Sequence, residues 1–171
     1  MSNKILVIYK SKTGFTKRYA QWIKEDLSCD IISYEKGMNL SFDSYDTVIY
    51  GGGFYAGKIN GLNQFKKNFL KLDGKKIIVF ATGAAPAGAQ DTQNSLRKNF
   101  TDAEWSKIKA FYMQSGLCYE KMGTKDKMMM AVLRTMLKMS KSSAEALKAI
   151  QNSFDVTKKD SIKALVEYCN K

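Results

Sequence analysis

The run Ile5-Leu6-Val7-Ile8-Tyr9 leads directly into Lys10-Ser11-Lys12-Thr13-Gly14-Phe15-Thr16-Lys17. An apolar run rich in β-branched residues specifies a buried strand. The next residues carry Ser11, Thr13 and Thr16 around Gly14, and then Tyr19, Ala20, Ile23 and Leu27 recur at helical spacing. A buried strand that passes through a short hydroxyl-rich loop into an amphipathic helix is the opening unit of an α/β fold. Such a loop can also wrap an anion. Its free amides and hydroxyls point inward, and the positive end of the helix dipole faces the negative charge.

The alternation continues along the chain. Residues 5–9, 29–34, 45–50, 76–81 and 108–113 read as strands, and 16–27, 62–72, 91–100 and 160–168 as helices. Thr157 is the expected N-cap of the last helix, and Thr101-Asp102-Ala103-Glu104 has the form of a capping box. Nearly all-apolar strands alternating with helices predict a doubly wound, five-stranded parallel sheet covered on both faces, in one domain over 1–171. Ligands of such sheets bind beyond the carboxyl ends of the strands. Loops rich in Gly, Ala, Ser or Thr follow at 10–16, 51–57 and 82–89, at three of those ends.

Composition narrows the chemistry. The chain has no histidine, which removes Ser-His-Asp triads, Cys-His pairs and HExxH zinc sites together. An enzyme built this way borrows its chemistry from a cofactor. Cys29, Cys118 and Cys169 are widely spaced and form no CxxC, which predicts reduced thiols and no metal site. Apolar runs are too short to span a bilayer or to serve as a secretory signal, so a cytoplasmic protein is expected. The 28 Lys and Arg against 16 Asp and Glu give +12, a charge that attracts anionic partners. The first loop lacks GxxxxGK[ST] and GxGxxG, the acidic residues of a receiver domain and the cysteine of a small tyrosine phosphatase.

The order Ser11-x-Thr13-Gly14-x-Thr16 resembles the FMN-phosphate loop of flavodoxins. The full arrangement resembles the flavodoxin family over nearly the whole chain apart from about 117–153. Within that family it is similar to the branch containing menaquinone-dependent protoporphyrinogen dehydrogenases. The similarity lies in the layout of Phe111-Tyr112-Met113-Gln114-Ser115-Gly116-Leu117-Cys118-Tyr119 and Asp126-Lys127-Met128-Met129-Met130. The resemblance implies FMN as cofactor. Ser11, Lys12, Thr13, Gly14, Phe15 and Thr16 would form the loop around its phosphate. Gly52, Gly53, Phe54, Tyr55 and Ala56 would lie along the isoalloxazine ring, and Thr82, Gly83, Ala84, Ala85 and Pro86 would cover its other side. Flavodoxins commonly stack an aromatic from that last loop. This chain has none there, so Phe54 or Tyr55 is left to supply a stacking face.

Residues 124–139 form an extra helical segment after the fifth strand. Met129, Val132, Leu133, Met136 and Met139 share one face, opposite Lys127, Arg134, Lys138 and Lys141. Three readings follow: core packing, contact with an anionic membrane surface, or a grip on a partner or flat apolar ligand. The resemblance implies an FMN oxidoreductase that oxidises protoporphyrinogen IX and passes electrons to a quinone or redox-protein acceptor, peripheral at the inner face of the membrane. No side chain stands out as a catalytic acid or base, and no nucleic-acid partner is expected. The alternatives are a flavodoxin-type electron carrier and a non-redox binding module. Carrier flavodoxins are typically acidic, so the basic charge speaks for the enzyme.

Overall fold

The protein is described here from a computed structural model covering residues 3–35, 39–140 and 144–171. Strand β1 (Ile5–Lys10) is followed by α1 (Phe15–Leu27), β2 (Asp30–Ser33) and β3 (Thr47–Tyr55). A short β4 (Lys58–Ile59) folds back antiparallel on β3. Then come α2 (Leu62–Phe65), a 3-10 segment Lys66–Leu72, β5 (Lys76–Gly83), α3 (Gln90–Arg97), α4 (Asp102–Trp105) and β6 (Ile108–Gln114). The five long strands are parallel in the order β2-β1-β3-β5-β6.

The strand period of two divides the core between the faces of the sheet. Ile5 and Val7 join Ile49, Ile78, Phe80 and Met113 beneath Tyr19, Ala20 and Ile23 of α1. Leu6 and Ile8 join Val48, Tyr50 and Val79 against Leu62, Phe65, Leu72, Leu96 and Phe100. The capping box forms as its sequence requires. Thr101 Oγ1 accepts from the Glu104 amide at 3.2 Å, and Glu104 Oε2 accepts from the Thr101 amide at 2.8 Å.

Beyond β6 the chain makes an excursion. It passes through β7 (Gly116–Leu117), a 3-10 turn Tyr119–Lys121, α5 (Thr124–Met139) and α6 (Ala144–Ala149). It returns as β8 (Phe154–Asp155), antiparallel to β7, with Leu117 opposite Phe154. A 3-10 turn Lys159–Ile162 then leads into α7 (Lys163–Cys169), whose Leu165 and Cys169 pack beside α1. Among the described residues no helix is long and apolar enough to cross a membrane.

Three local expectations are corrected. The strand expected to stop at Tyr50 continues through Gly51, Gly52 and Gly53 to Tyr55. These glycines serve close packing. A Cβ on Gly51 would strike the Phe80 ring, and one on Gly52 would lie 2.6 Å from the Asn60 carbonyl. The helix expected over 62–72 is one α-helical turn that tightens into 3-10 from Lys66. Thr157 does not cap the final helix. Its hydroxyl donates to Asp155 at 2.7 Å and accepts from Arg18 at 2.8 Å, so it serves the connection between β8 and α1.

Candidate functional site

The carboxyl ends of β1, β3 and β5 converge on a cavity of about 790 Å³, a volume in the range of small-molecule and cofactor sites. Thr13, Phe15 and Thr16 line it from the first loop, Gly53, Phe54, Tyr55 and Ala56 from the end of β3, and Thr82, Gly83, Ala84, Ala85 and Pro86 from the end of β5. Thr13, Phe15 and Gly14 also border a smaller cavity of about 310 Å³, with Arg18, Cys118, Lys121 and Ser153. The remaining expected residues line neither cavity. Ser11 Oγ accepts a hydrogen bond from the Gly14 amide at 3.1 Å and so shapes the loop. Lys12 reaches Asp126 on α5 at 2.9 Å and stands 4.6 Å over the Tyr55 ring. Gly52 is buried inside β3.

The first loop is prepared for an anion. Gly14 stands at the N-cap of α1 with φ 97°, which a glycine adopts without strain. No side chain caps this end, and no acidic residue lies in the first turn. The leading amides of α1 therefore present uncompensated positive charge. Thr16 is placed differently from Thr13. Its hydroxyl is buried and shares a 2.8 Å hydrogen bond with the hydroxyl of Thr82, which ties α1 to the end of β5.

Aromatic side chains set the shape between the other two loops. Phe54 and Tyr112 meet edge to face, with centroids 5.7 Å apart. The Tyr112 hydroxyl donates to the Ala85 carbonyl at 2.9 Å and pins the loop after β5. Burial raises the pKa of Tyr112, so its phenol stays neutral. The Tyr55 pKa is raised as well, by burial and then by the Asp126 carboxylate, against a lowering hydrogen bond with Thr13. Residues 82–86 carry no bulky group, and they line the cavity together with Phe54, Tyr55 and Tyr112.

The excursion supplies the rest of the wall. Met129, Val132, Leu133 and Met136 of α5, with Ala146, Ala149 and Ile150 from α6 and the residue after it, line the same cavity as the loops. Core packing is therefore not the role of α5, whose one buried residue is Asp126. Met128 and Met139 are 65% and 82% exposed. Lys141, expected on the basic face, lies outside the described residues. The Lys12–Asp126 pair fastens α5 to the first loop, and Arg134 lies 5.5 Å over the Tyr119 ring. Asp126 and Glu145 also bring carboxylates to a cavity whose own loops have none. Reading loop by loop missed Tyr112, Ser115, Asp126 and Glu145. One sequence signal pointed to Asp126: it lies in the first turn of a lysine-rich helix, where an acid is favoured by the dipole.

Solved structures resemble this fold. A flavodoxin, WrbA-like protein from Agrobacterium tumefaciens has a TM-score of 0.51 and 22% identity, covering 73% of this chain and 88% of its own. A flavoprotein from Lactobacillus acidophilus, solved in complex with FMN, has a TM-score of 0.49 and 14% identity, covering 66% and 92%. No curated protein sequence matches the chain. The flavodoxin-domain family matches residues 6–144, most of the length, and the chain belongs to that family.

Proposed function

We propose that this protein is an FMN-dependent oxidoreductase that takes electrons from a largely apolar, carboxylate-bearing macrocycle of the protoporphyrinogen class and passes them to a quinone. Family membership supports FMN as the cofactor. One observation carries the rest: the three strand-end loops and the apolar side of the α5–α6 excursion line a single cavity of about 790 Å³. An electron carrier needs only an exposed cofactor edge. A walled apolar chamber beside that edge is suited to a bound donor.

The residues fit the cofactor. The uncapped start of α1 and the Thr13 hydroxyl suit its phosphate, and the small residues 82–86 leave room for its ring opposite Phe54 and Tyr55. When bound, FMN supplies the hydride- and electron-accepting chemistry. The chain's own groups bind and orient. Met129, Leu133 and Met136 exclude water and adapt to the outline of the donor. Lys12 and Asp126 hold α5 at its distance from the first loop. Lys127, Arg134 and Lys138, together with the net charge of +12, attract donors that carry carboxylates. The same basic residues and the exposed Met128 and Met139 suit peripheral contact of 124–139 with an anionic membrane, where quinones reside.

The test is an anaerobic assay of the flavin-loaded protein with protoporphyrinogen IX and a soluble quinone. Porphyrin formation that requires the quinone supports the reading. Rapid electron exchange with redox proteins and no porphyrin formation would replace it with the carrier reading. A colourless protein that binds no flavin would leave only the binding module.

A further inference from the structure

Lys12, Arg18 and Lys121 all stand beside the first loop, and their charges are not equally committed. Lys12 is paired with Asp126 of α5 at 2.9 Å. Arg18 is paired with Asp155 of β8 and bonded to Thr157. Lys121 stands at the end of the 3-10 turn after β7, and among the described residues no carboxylate lies within ion-pair distance of it. Its ammonium nonetheless reaches the loop. A Cβ placed on Gly14 would lie 3.8 Å from Lys121 Nζ, with no other atom within 4 Å. Lys121, Thr13 and Gly14 border the same cavity of about 310 Å³.

The turn that carries Lys121 is itself fastened. The Lys121 amide donates to the Cys118 carbonyl at 3.2 Å. The Tyr119 amide donates to Ser153 Oγ at 2.9 Å, and Ser153 Oγ donates to Glu120 at 2.8 Å. The excursion thus delivers one unpaired positive charge to the uncapped end of α1. Loop amides and Thr13 offer hydrogen bonds to an anion there, and none of them supplies a full charge.

We propose that Lys121 binds the phosphate of the cofactor, so that the excursion after β6 contributes a cofactor ligand as well as the wall of the donor chamber. The proposal rests on the FMN reading above. It makes the protein selective for FMN over riboflavin, which has a hydroxyl in place of the phosphate.

The experiment titrates apoprotein with FMN and, separately, with riboflavin by fluorescence quenching. Wild type, Lys121→Gln, Lys121→Arg and a charge control, Lys98→Gln on the exposed C-cap of α3, are compared. Lys121→Gln should weaken FMN about tenfold at low salt, the size of a lost charge-assisted hydrogen bond, and leave riboflavin unchanged. Lys121→Arg should recover most of the affinity, and Lys98→Gln should behave as wild type. Undiminished FMN affinity in Lys121→Gln would overturn the proposal. So would equal losses for FMN and riboflavin, which would give Lys121 a role in the shape of the cavity instead. A wild type that binds FMN no better than riboflavin would also overturn it. A wild type that binds neither flavin would overturn the FMN reading itself.

Discussion

Thr16 and Thr82 bond to each other through their hydroxyls at 2.8 Å, across 66 positions of sequence, with both side chains buried. The contact joins the first turn of α1 to the end of β5, so two walls of the cavity are fixed relative to each other. Thr16→Val leaves the Thr82 hydroxyl buried without that partner, at a cost of about 1–3 kcal/mol. Thr82→Val should cost a similar amount, and the double substitution less than the sum. Urea titration measures all three. Strict additivity would remove the coupling.

Thr13 is in a different position, since it borders both cavities and is not buried. Thr13→Ala should weaken FMN binding by about tenfold or more through loss of one charge-assisted hydrogen bond. The urea midpoint should hardly move. Unchanged affinity in a fluorescence titration would take the Thr13 hydroxyl away from the phosphate.

The apolar wall can be tested without touching the cofactor loops. Leu133 is 40% exposed and lines the cavity. Leu133→Asp should preserve the flavin spectrum and raise the KM for a porphyrinogen donor by about tenfold, because the bound macrocycle would desolvate the new carboxylate and its own carboxylates would be repelled. An unchanged KM would separate α5 from the donor.

Asp126 bears on the redox potential. A reduced flavin carries negative charge, so a nearby carboxylate opposes reduction and a cation favours it. In this protein the Asp126 charge is offset by Lys12. The two-electron midpoint potential should therefore lie above that of acidic flavodoxins. Asp126→Asn releases Lys12 and should raise it further, by on the order of tens of mV. Anaerobic spectroelectrochemistry would show it, and a fall in potential would contradict the argument.

Acid sensitivity should come in part from Glu104. Burial alone would raise its pKa. The hydrogen bond from Lys66 and those from Thr101 outweigh burial and place it below the usual 4.5. The folded state thus holds this proton less tightly than the unfolded chain. Its stabilisation is complete above the unfolded value and fades as pH falls through the lower folded one. Glu104→Gln should reduce stability at neutral pH and flatten the acid limb of a Tm–pH profile. A parallel profile would assign the acid limb to other carboxylates.

The sheet was legible because its strands are apolar runs bounded by turns. The unbroken burial of β1, β3 and β5 follows from packing on both faces, with alternate residues going to opposite faces. The capping box was legible because its chemistry is local. What stayed hidden was set by distant neighbours. Gly51 and Gly52 looked like a turn because what excludes their side chains is the Phe80 ring of another strand and the Asn60 carbonyl of the β3–β4 hairpin, neither of which local composition reveals. The wheel of α5 gave the right stripe, with Met129, Leu133 and Met136 together, but amphipathicity does not say what a stripe faces. The face that lines the cavity is set by long-range contacts such as the Lys12–Asp126 pair, whose members are 114 positions apart.

The ribbon of β7 and β8 makes the excursion a cassette. Leu117 and Phe154 are neighbours on its ladder, so the chain leaves and re-enters the sheet domain at one place. Residues 118–153 can be lengthened, shortened or exchanged without changing the route of any long strand. Joining Leu117 to Phe154 through a tight two-residue turn would give a compact domain that keeps its first loop and loses both Lys121 and the apolar wall. One splice point therefore holds both Lys121 and the apolar wall, and a transplant of that cassette is a direct route to moving them onto another sheet.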